Sequence, residues 1–300
     1  MIIIAGASGF IGRYLSEYLS RKGIRVTCLT RNKNITSKNQ SEINYVYWDG
    51  KTIGEWATLV DHADAVINLC GAPIAKRWTK NYKKELKDSR IDPARVLSQA
   101  IKNSTNTSLT YIQASAVGYF DGHSQEDAML SEKDSKGSGF ISDLCHEWEN
   151  EALGVQMAGY RTVIIRLGLV LGKSGGVYSK MKPAFQWGVG GHFGSGNQWF
   201  PWIHIKDVAN LIFFSLETST LSGILHAVSP GATTMKHFCK ELANSLNRYS
   251  MFHVPRCVLR TFFGEMATIL LDTPKVVSTV HESTSFQFEY PDIKKALLSI

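Results

Sequence analysis

One short run narrows the fold more than any other feature of this sequence. Gly6-Ala7-Ser8-Gly9-Phe10-Ile11-Gly12 lies between an apolar stretch at residues 2–5 and a stretch with helical spacing (Ile11, Leu15, Tyr18, Leu19). A G-x-x-G-x-x-G pattern alone is weak; a strand before it and an amphipathic helix after it give it the context of a phosphate-binding turn. Gly6 allows the tight turn, Gly9 lets backbone approach a pyrophosphate, and Gly12 lets helix and strand pack closely. The helix start adds unpaired N–H groups and a partial positive charge. A dinucleotide is expected there, with a ligand-free glycine turn as the alternative.

The chain around this motif alternates strands and helices. Apolar strands are expected at 24–30, 43–48, 64–69, 109–114 and 162–169, with helices near 10–21, 53–60, 80–102 and 139–158. That order implies an α/β fold, a doubly wound parallel (Rossmann) sheet with helices on both faces, carrying a smaller C-terminal α+β lobe. The expected division is 1–172 for the dinucleotide lobe and 173–300 for a mixed cap and C-terminal lobe, with segments near 203–228 completing the sheet. Residues 175–196, rich in glycine and aromatics, read as a loop-bearing cap. Asp207 is expected to cap a helix through residue 216, followed by a strand at 223–228 and a helix at 233–247. An apolar helix at 258–271 and a short strand around Phe286, Phe288 and Tyr290 end the chain.

Composition excludes several classes. Of the 300 residues, 44% are hydrophobic and 20% charged, as in a globular protein. No apolar run approaches the roughly 20 residues needed to cross a bilayer, so no membrane partner is expected. Met1 is followed at once by Ile2-Ile3-Ile4 and the glycine turn, without the basic segment of a signal peptide. The five cysteines have no C-x-x-C spacing, which argues against disulfides and metal and suits a cytoplasmic location. The net charge is +7, but the dense basic stretch 76–95 also carries Glu85, Asp88 and Asp92 and reads as a solvated helix face. No nucleic-acid partner is expected, and a phosphate-bearing small molecule explains part of the charge.

The end of the second strand selects the dinucleotide. A carboxylate there would bind the ribose 2′-hydroxyl of NAD. This chain has Leu29-Thr30-Arg31-Asn32 instead, with Arg31 19 positions after Gly12. A guanidinium suits a 2′-phosphate, so NADP(H) is favoured; a solvent-facing arginine is the alternative.

Several motifs together resemble the extended short-chain dehydrogenase/reductase superfamily: Gly6 to Gly12, Asn68-Leu69-Cys70-Gly71, Ser115-Ala-Val-Gly-Tyr119 and Arg166-Leu-Gly-Leu-Val-Leu-Gly172. Gly71-Ala-Pro-Ile-Ala-Lys-Arg-Trp78, Gly194-Ser-Gly-Asn-Gln-Trp-Phe-Pro-Trp-Ile-His204 and Gly264-Glu-Met-Ala267 resemble its YfcH-like "epimerase family" group, which ends in a domain of unknown function. The resemblance spans essentially the whole chain. It implies a nucleotide site running from Ser8, Phe10 and Ile11 to Arg31 and on to Leu69, Cys70 and Gly71, with Arg77 near the phosphates. Asp49 matches a position near adenine in the superfamily; a turn aspartate before Gly50 is the alternative.

The superfamily's chemistry needs a tyrosine to move a proton, a lysine one turn later and a serine on the substrate oxygen. Ser115 stands at the serine position, four residues before Tyr119. The helix expected to carry Tyr-x-x-x-Lys has Ile141 and Cys145 at those positions. Tyr18/Lys22 and Tyr178/Lys182 match the spacing outside that helix and read as decoys, Tyr178 keeping some interest through the cap. Tyr119 is the first candidate acid; His123, His146 and His204 read as surface or structural histidines and Cys145 as buried filler. Trp187, Trp199, Phe200 and Trp202 could line a substrate pocket beside Arg166 and Gln198, or could be core. The leading expectation is an NADP(H)-dependent oxidoreductase or epimerase-like enzyme acting on a small carbonyl or hydroxyl compound, with Ser115 and Tyr119 catalytic. The other is a non-catalytic NADP(H)-binding sensor. A homodimer stands among the partner expectations.

Overall fold

A computed structural model describes residues 1–35, 42–121 and 129–300. Seven strands form one parallel sheet: β1 (Ile2–Ala5), β2 (Val26–Thr30), β3 (Ile43–Tyr47), β4 (Ala65–Asn68), β5 (Thr110–Ala116), β6 (Arg161–Leu167) and β7 (Gly223–Ala227). Their order is β3-β2-β1-β4-β5-β6-β7, so the winding reverses between β1 and β4. The expected α/β class and doubly wound parallel sheet are observed.

Alternation along the strands divides the core into two layers. Ile2 and Ile4 of β1 face α1 (Phe10–Arg21) and α5 (Ile205–Glu217), packing with Leu15, Leu19, Val208 and Leu211. Ile3 and Ala5 face the other way, toward Leu97 and Ile101 of α2 (Lys80–Lys102) and Ala152 and Val155 of α3 (Phe140–Met157). Burial on both faces makes these strands near-continuous apolar runs, and each fully buried Ile or Leu contributes about 1.5–3 kcal/mol.

The sixth expected strand divides. β6 ends at Leu167, and Leu169–Gly172 pairs in parallel with Trp202–His204. The change of partner falls at Gly168, where a Cβ would lie 2.6 Å from the Pro201 carbonyl oxygen. Residues 176–186, expected as loop, form α4, whose Tyr178, Met181 and Phe185 pack with Trp202 and with Phe238 of α6 (Met235–Ser245). Asp207 is no cap: His204 holds that place, its Nδ1 accepting from the Lys206 N–H at 3.2 Å. Asp207 is buried instead and accepts from the N–H groups of Glu289 (2.8 Å) and Tyr290 (2.9 Å). Those amides are thus taken by a carboxylate, and the strand expected around Phe286 to Tyr290 does not form. The helix expected at 258–271 breaks at Gly264 into α7 (Arg256–Phe263) and the short turns Gly264–Ala267 and Thr268–Leu271.

Candidate functional site

The reversal between β1 and β4 leaves a crevice at the carboxyl ends of the strands, where ligands bind in open α/β sheets. A cleft of about 550 Å³ occupies it, lined by Gly6, Ser8 and Gly9 after β1, Leu29 to Arg31 at the end of β2, Asp49 after β3, and Leu69 to Gly71 after β4. Gly6 has φ +81°, and a Cβ there would fall 2.6 Å from the Leu69 carbonyl carbon. At Gly12 a Cβ would lie 2.4 Å from the Gly6 oxygen. The glycines therefore serve close backbone approach between β1, β4 and α1. Gly9 stands at the α1 N-cap and supplies no side-chain acceptor to the first-turn amides.

Two cleft groups have displaced acidities. The Asp49 carboxylate accepts the Thr52 hydroxyl at 2.6 Å and the N–H groups of Thr52 and Lys51 at 2.8 Å. These bonds, the Thr52 hydroxyl foremost, lower its pKa to about 2. Burial pushes the Cys70 thiol up to about 12, with the Arg31 guanidinium working the other way. Cys70 is therefore an inert wall with a cation beside it.

A second constellation lies across β5, β6 and β7. Ser115 and His226 are both register partners of Arg166, so one row of the sheet carries all three. The Ser115 hydroxyl donates to Glu149 Oε1 at 2.6 Å. Arg166 grips the same carboxylate, Nε to Oε1 at 2.8 Å and Nη2 to Oε2 at 2.9 Å. Ser115, Glu149 and Arg166 are 1%, 3% and 1% exposed. The guanidinium also lies 3.4 Å from the centroid of the Tyr119 ring, a cation–π stack. Among the described residues, the Tyr119 hydroxyl has no hydrogen-bond partner. His226 bonds Val277 O through Nδ1 at 2.7 Å; the carbonyl can only accept, so Nδ1 carries the proton. Burial lowers its pKa, with Glu132 opposing the shift.

Comparison with known proteins fits this geometry. Residues 2–225 match the model of the NAD dependent epimerase/dehydratase family, and residues 254–300 match a domain of unknown function, DUF1731. The chain belongs to the NAD-dependent epimerase/dehydratase family. It is 35% identical, over all of its own length and 86% of the relative's, to the chloroplastic epimerase family protein SDR39U1 homolog of Arabidopsis thaliana. To an epimerase family protein of Mycobacterium leprae it is 34% identical over 99% of this chain and 94% of that one. The crystal structure of human epimerase family protein SDR39U1 (isoform 2) with NADPH superposes with a TM-score of 0.85 at 29% identity, covering 100% and 98% of the two chains.

This family member departs from several expectations. Gly6, Ser8, Gly9, Arg31, Asp49, Leu69, Cys70 and Gly71 share the cleft; Phe10, Ile11, Gly12 and Arg77 do not line it. The Phe10 ring is packed where Cβ atoms on Gly172 and Gly175 would stand, and Ile11 joins the α1–α5 core layer. Arg77 donates through Nη1 to Thr261 O at 2.8 Å, tying its loop to α7 rather than reaching the cleft. Asp49 lines the cleft, but its oxygens close a turn, the alternative role. Ser115 is buried against Glu149 rather than open to a substrate oxygen.

Ile141 and Cys145 occupy the tyrosine and lysine positions on α3. A Cβ at Gly118 would lie 2.9 Å from Ile141 Cγ1, and burial pushes the Cys145 thiol up to about 12. Tyr178 is buried in the C-terminal core and Tyr18 donates to Asn210 at 2.9 Å, so neither Tyr-x-x-x-Lys pair reaches the site. Burial lowers His204 to about 4, and it packs 4.1 Å from the Tyr290 ring as a structural group. His146 is exposed, and His123 lies outside the described residues. Trp199, Phe200 and Trp202 line a cavity of only about 10 Å³, room for little more than a water; Trp187 is exposed, and Gln198 donates to Phe193 O and Leu270 O, both at 2.9 Å.

Two contributions went unread in the sequence. Asn81, Lys84, Glu85 and Asp88 of α2 line the cleft, although that face reads as solvated. Glu149 continues the inward stripe of Ile141, Cys145 and Trp148, and a charge there beside Arg166 in an apolar strand was the signal for the buried pair.

Proposed function

We propose that the chain binds NADP(H) and acts on a small carbonyl or hydroxyl compound as an oxidoreductase or epimerase-like enzyme. The observation that carries this reading is the convergence of the Gly6–Gly9 turn and Arg31 in one cleft. Gly6, Ser8 and Gly9 would hold the pyrophosphate and Arg31 the 2′-phosphate, with Asp49, Leu69, Cys70 and Gly71 forming the adjoining walls. The NADPH bound by the human relative supports that choice of cofactor. Residues 1–172, completed by β7, would be the cofactor lobe and 173–300 the remainder.

Bound NADP(H) supplies or accepts hydride. Tyr119 is the proton donor or acceptor in this reading, because its hydroxyl has no partner among the described residues and its ring is held under Arg166. Ser115 is then a positioning residue: with its hydrogen directed at Glu149, it steadies the carboxylate that orients Arg166.

One observation favours a second reading, a non-catalytic NADP(H) sensor. The Tyr/Lys positions on α3 are apolar or thiol, and Met266 and Phe263 pack in one cluster with Trp78, Phe140 and Ile141 over that end of the sheet.

Fluorescence titration with NADPH and NADH, followed by turnover against a carbonyl panel, tests both readings. Arg31→Asp is expected to weaken NADPH tenfold or more, about 1–3 kcal/mol, and leave NADH nearly unchanged. Tyr119→Phe should abolish turnover at unaltered NADPH affinity. Tight NADPH binding without turnover of any carbonyl selects the sensor, and binding of neither nucleotide removes both readings.

A further inference from the structure

We infer that a basic, aromatic face of the C-terminal half docks peripherally on anionic lipid. Trp187, Tyr249 and Met251 are 83%, 82% and 81% exposed, with Val189 and Phe252 also exposed. The two segments carrying them run side by side. Phe252 pairs in parallel with Gly191, and Arg248 Nε donates to Gln186 O at 3.4 Å. A contiguous apolar surface of this kind marks an interaction site, whereas scattered apolar residues do not.

Charge identifies the occupant. Residues 176–200 and 230–263 contain seven Lys and Arg against a single acid, Glu241, whereas the rest of the chain holds 26 against 25. Arg256 is paired with Asp272, just outside these segments, so five of the net +7 charges remain on the segments that carry this face. Among the described residues, Lys180 on α4, Lys240 on α6 and Arg260 on α7 have no acidic partner. Large side chains that protrude from a helix end and a loop, on segments rich in lysine and arginine, are the composition of an interfacial anchor on an anionic leaflet.

The other occupants fit less well. A twofold dimer through this patch would set Arg248 and its basic surroundings against their own copies. Nucleic acid could stack on Trp187, Tyr249 and Phe252 but would leave the exposed aliphatic Val189 and Met251 without an apolar partner. No helix among the described residues is long and apolar enough to cross a membrane, so the contact is at the surface.

Co-sedimentation of the full chain with vesicles of phosphatidylcholine, alone or mixed with phosphatidylglycerol, tests the inference. Binding is expected to be at least about tenfold tighter to the mixed vesicles and to weaken as salt is raised. Lys180→Glu with Arg248→Glu should remove that preference. Trp187→Ser with Tyr249→Ser and Met251→Ser should abolish binding, with the unfolding midpoint and NADPH affinity unchanged as evidence of a native fold. Failure of the native chain to bind anionic vesicles overturns the proposal, as does binding that survives the triple substitution or ignores lipid charge. Concentration-dependent dimerisation abolished by the triple variant, without vesicle binding, assigns the face to a second copy. Retention on polyglutamate without vesicle binding assigns it to an acidic protein. Either result overturns the lipid reading.

Discussion

The two ends of the crevice are built by opposite means. At the phosphate end the Gly6–Gly12 turn, Arg31 and the Leu69–Gly71 segment form an open cleft of about 550 Å³, shaped by backbone and glycine. At the β5–β7 end a carboxylate, a guanidinium and a hydroxyl are buried and bonded to one another. The first arrangement offers a ligand backbone groups and a single guanidinium, Arg31. The second directs its polar side chains at one another, with the Tyr119 ring stacked on the Arg166 guanidinium. A nucleotide cleft and a Tyr-x-x-x-Lys pair can therefore be separated in one chain, because the two depend on different parts of the fold.

The largest expected effect lies at the sealed end. Glu149→Ala would leave Arg166 buried without its counter-charge, at a cost of about 3–5 kcal/mol. Urea denaturation would read that loss, and a change under 1 kcal/mol would mean that the pair is not the rigid element separating the two ends. At the open end, Gly12→Val drives a side chain against the Gly6 carbonyl. NADPH affinity should fall about 100-fold, near 2.7 kcal/mol. Unchanged affinity in a titration would show that glycine does not shape that end.

The smallest effect sharpens the comparison through pH. The Asp49 pKa falls from 3.8 to about 2 on folding, so its contribution is present above 3.8 and lost as the pH drops through 2. The group is exposed, so solvent screening holds the contribution below about 1 kcal/mol. Asp49→Asn should flatten the stability change between those pH values in acid-titrated melts. An identical slope in the variant would assign the acid sensitivity to other carboxylates.

Much of this was legible because it is local. The glycine run, the strand that precedes it and the helix that follows are contiguous, and residues 2–5 are apolar throughout because the strand they form is covered on both faces. Arg31 was legible for the same reason, since the cleft lies at the end of its own strand. The failures were contacts between distant residues. Asp207 reads as a helix cap, and only the chain some 80 residues later, with its free amides at Glu289 and Tyr290, makes it a tail fastener. The bond from Arg77 to the Thr261 carbonyl, 184 positions along the chain, is likewise outside any local pattern.

The sequence by itself determined the alternation of strands and helices, the phosphate turn, the cationic choice at the end of β2 and the missing tyrosine and lysine. Each follows from periodicity or residue identity within one element. Only the tertiary structure decided that Ser115 is directed at Glu149 and that Trp202 is core while Trp187 stands in solvent. Those outcomes depend on which elements meet across the sheet. Burial and pairing are set by the partner, which no local pattern of residues contains.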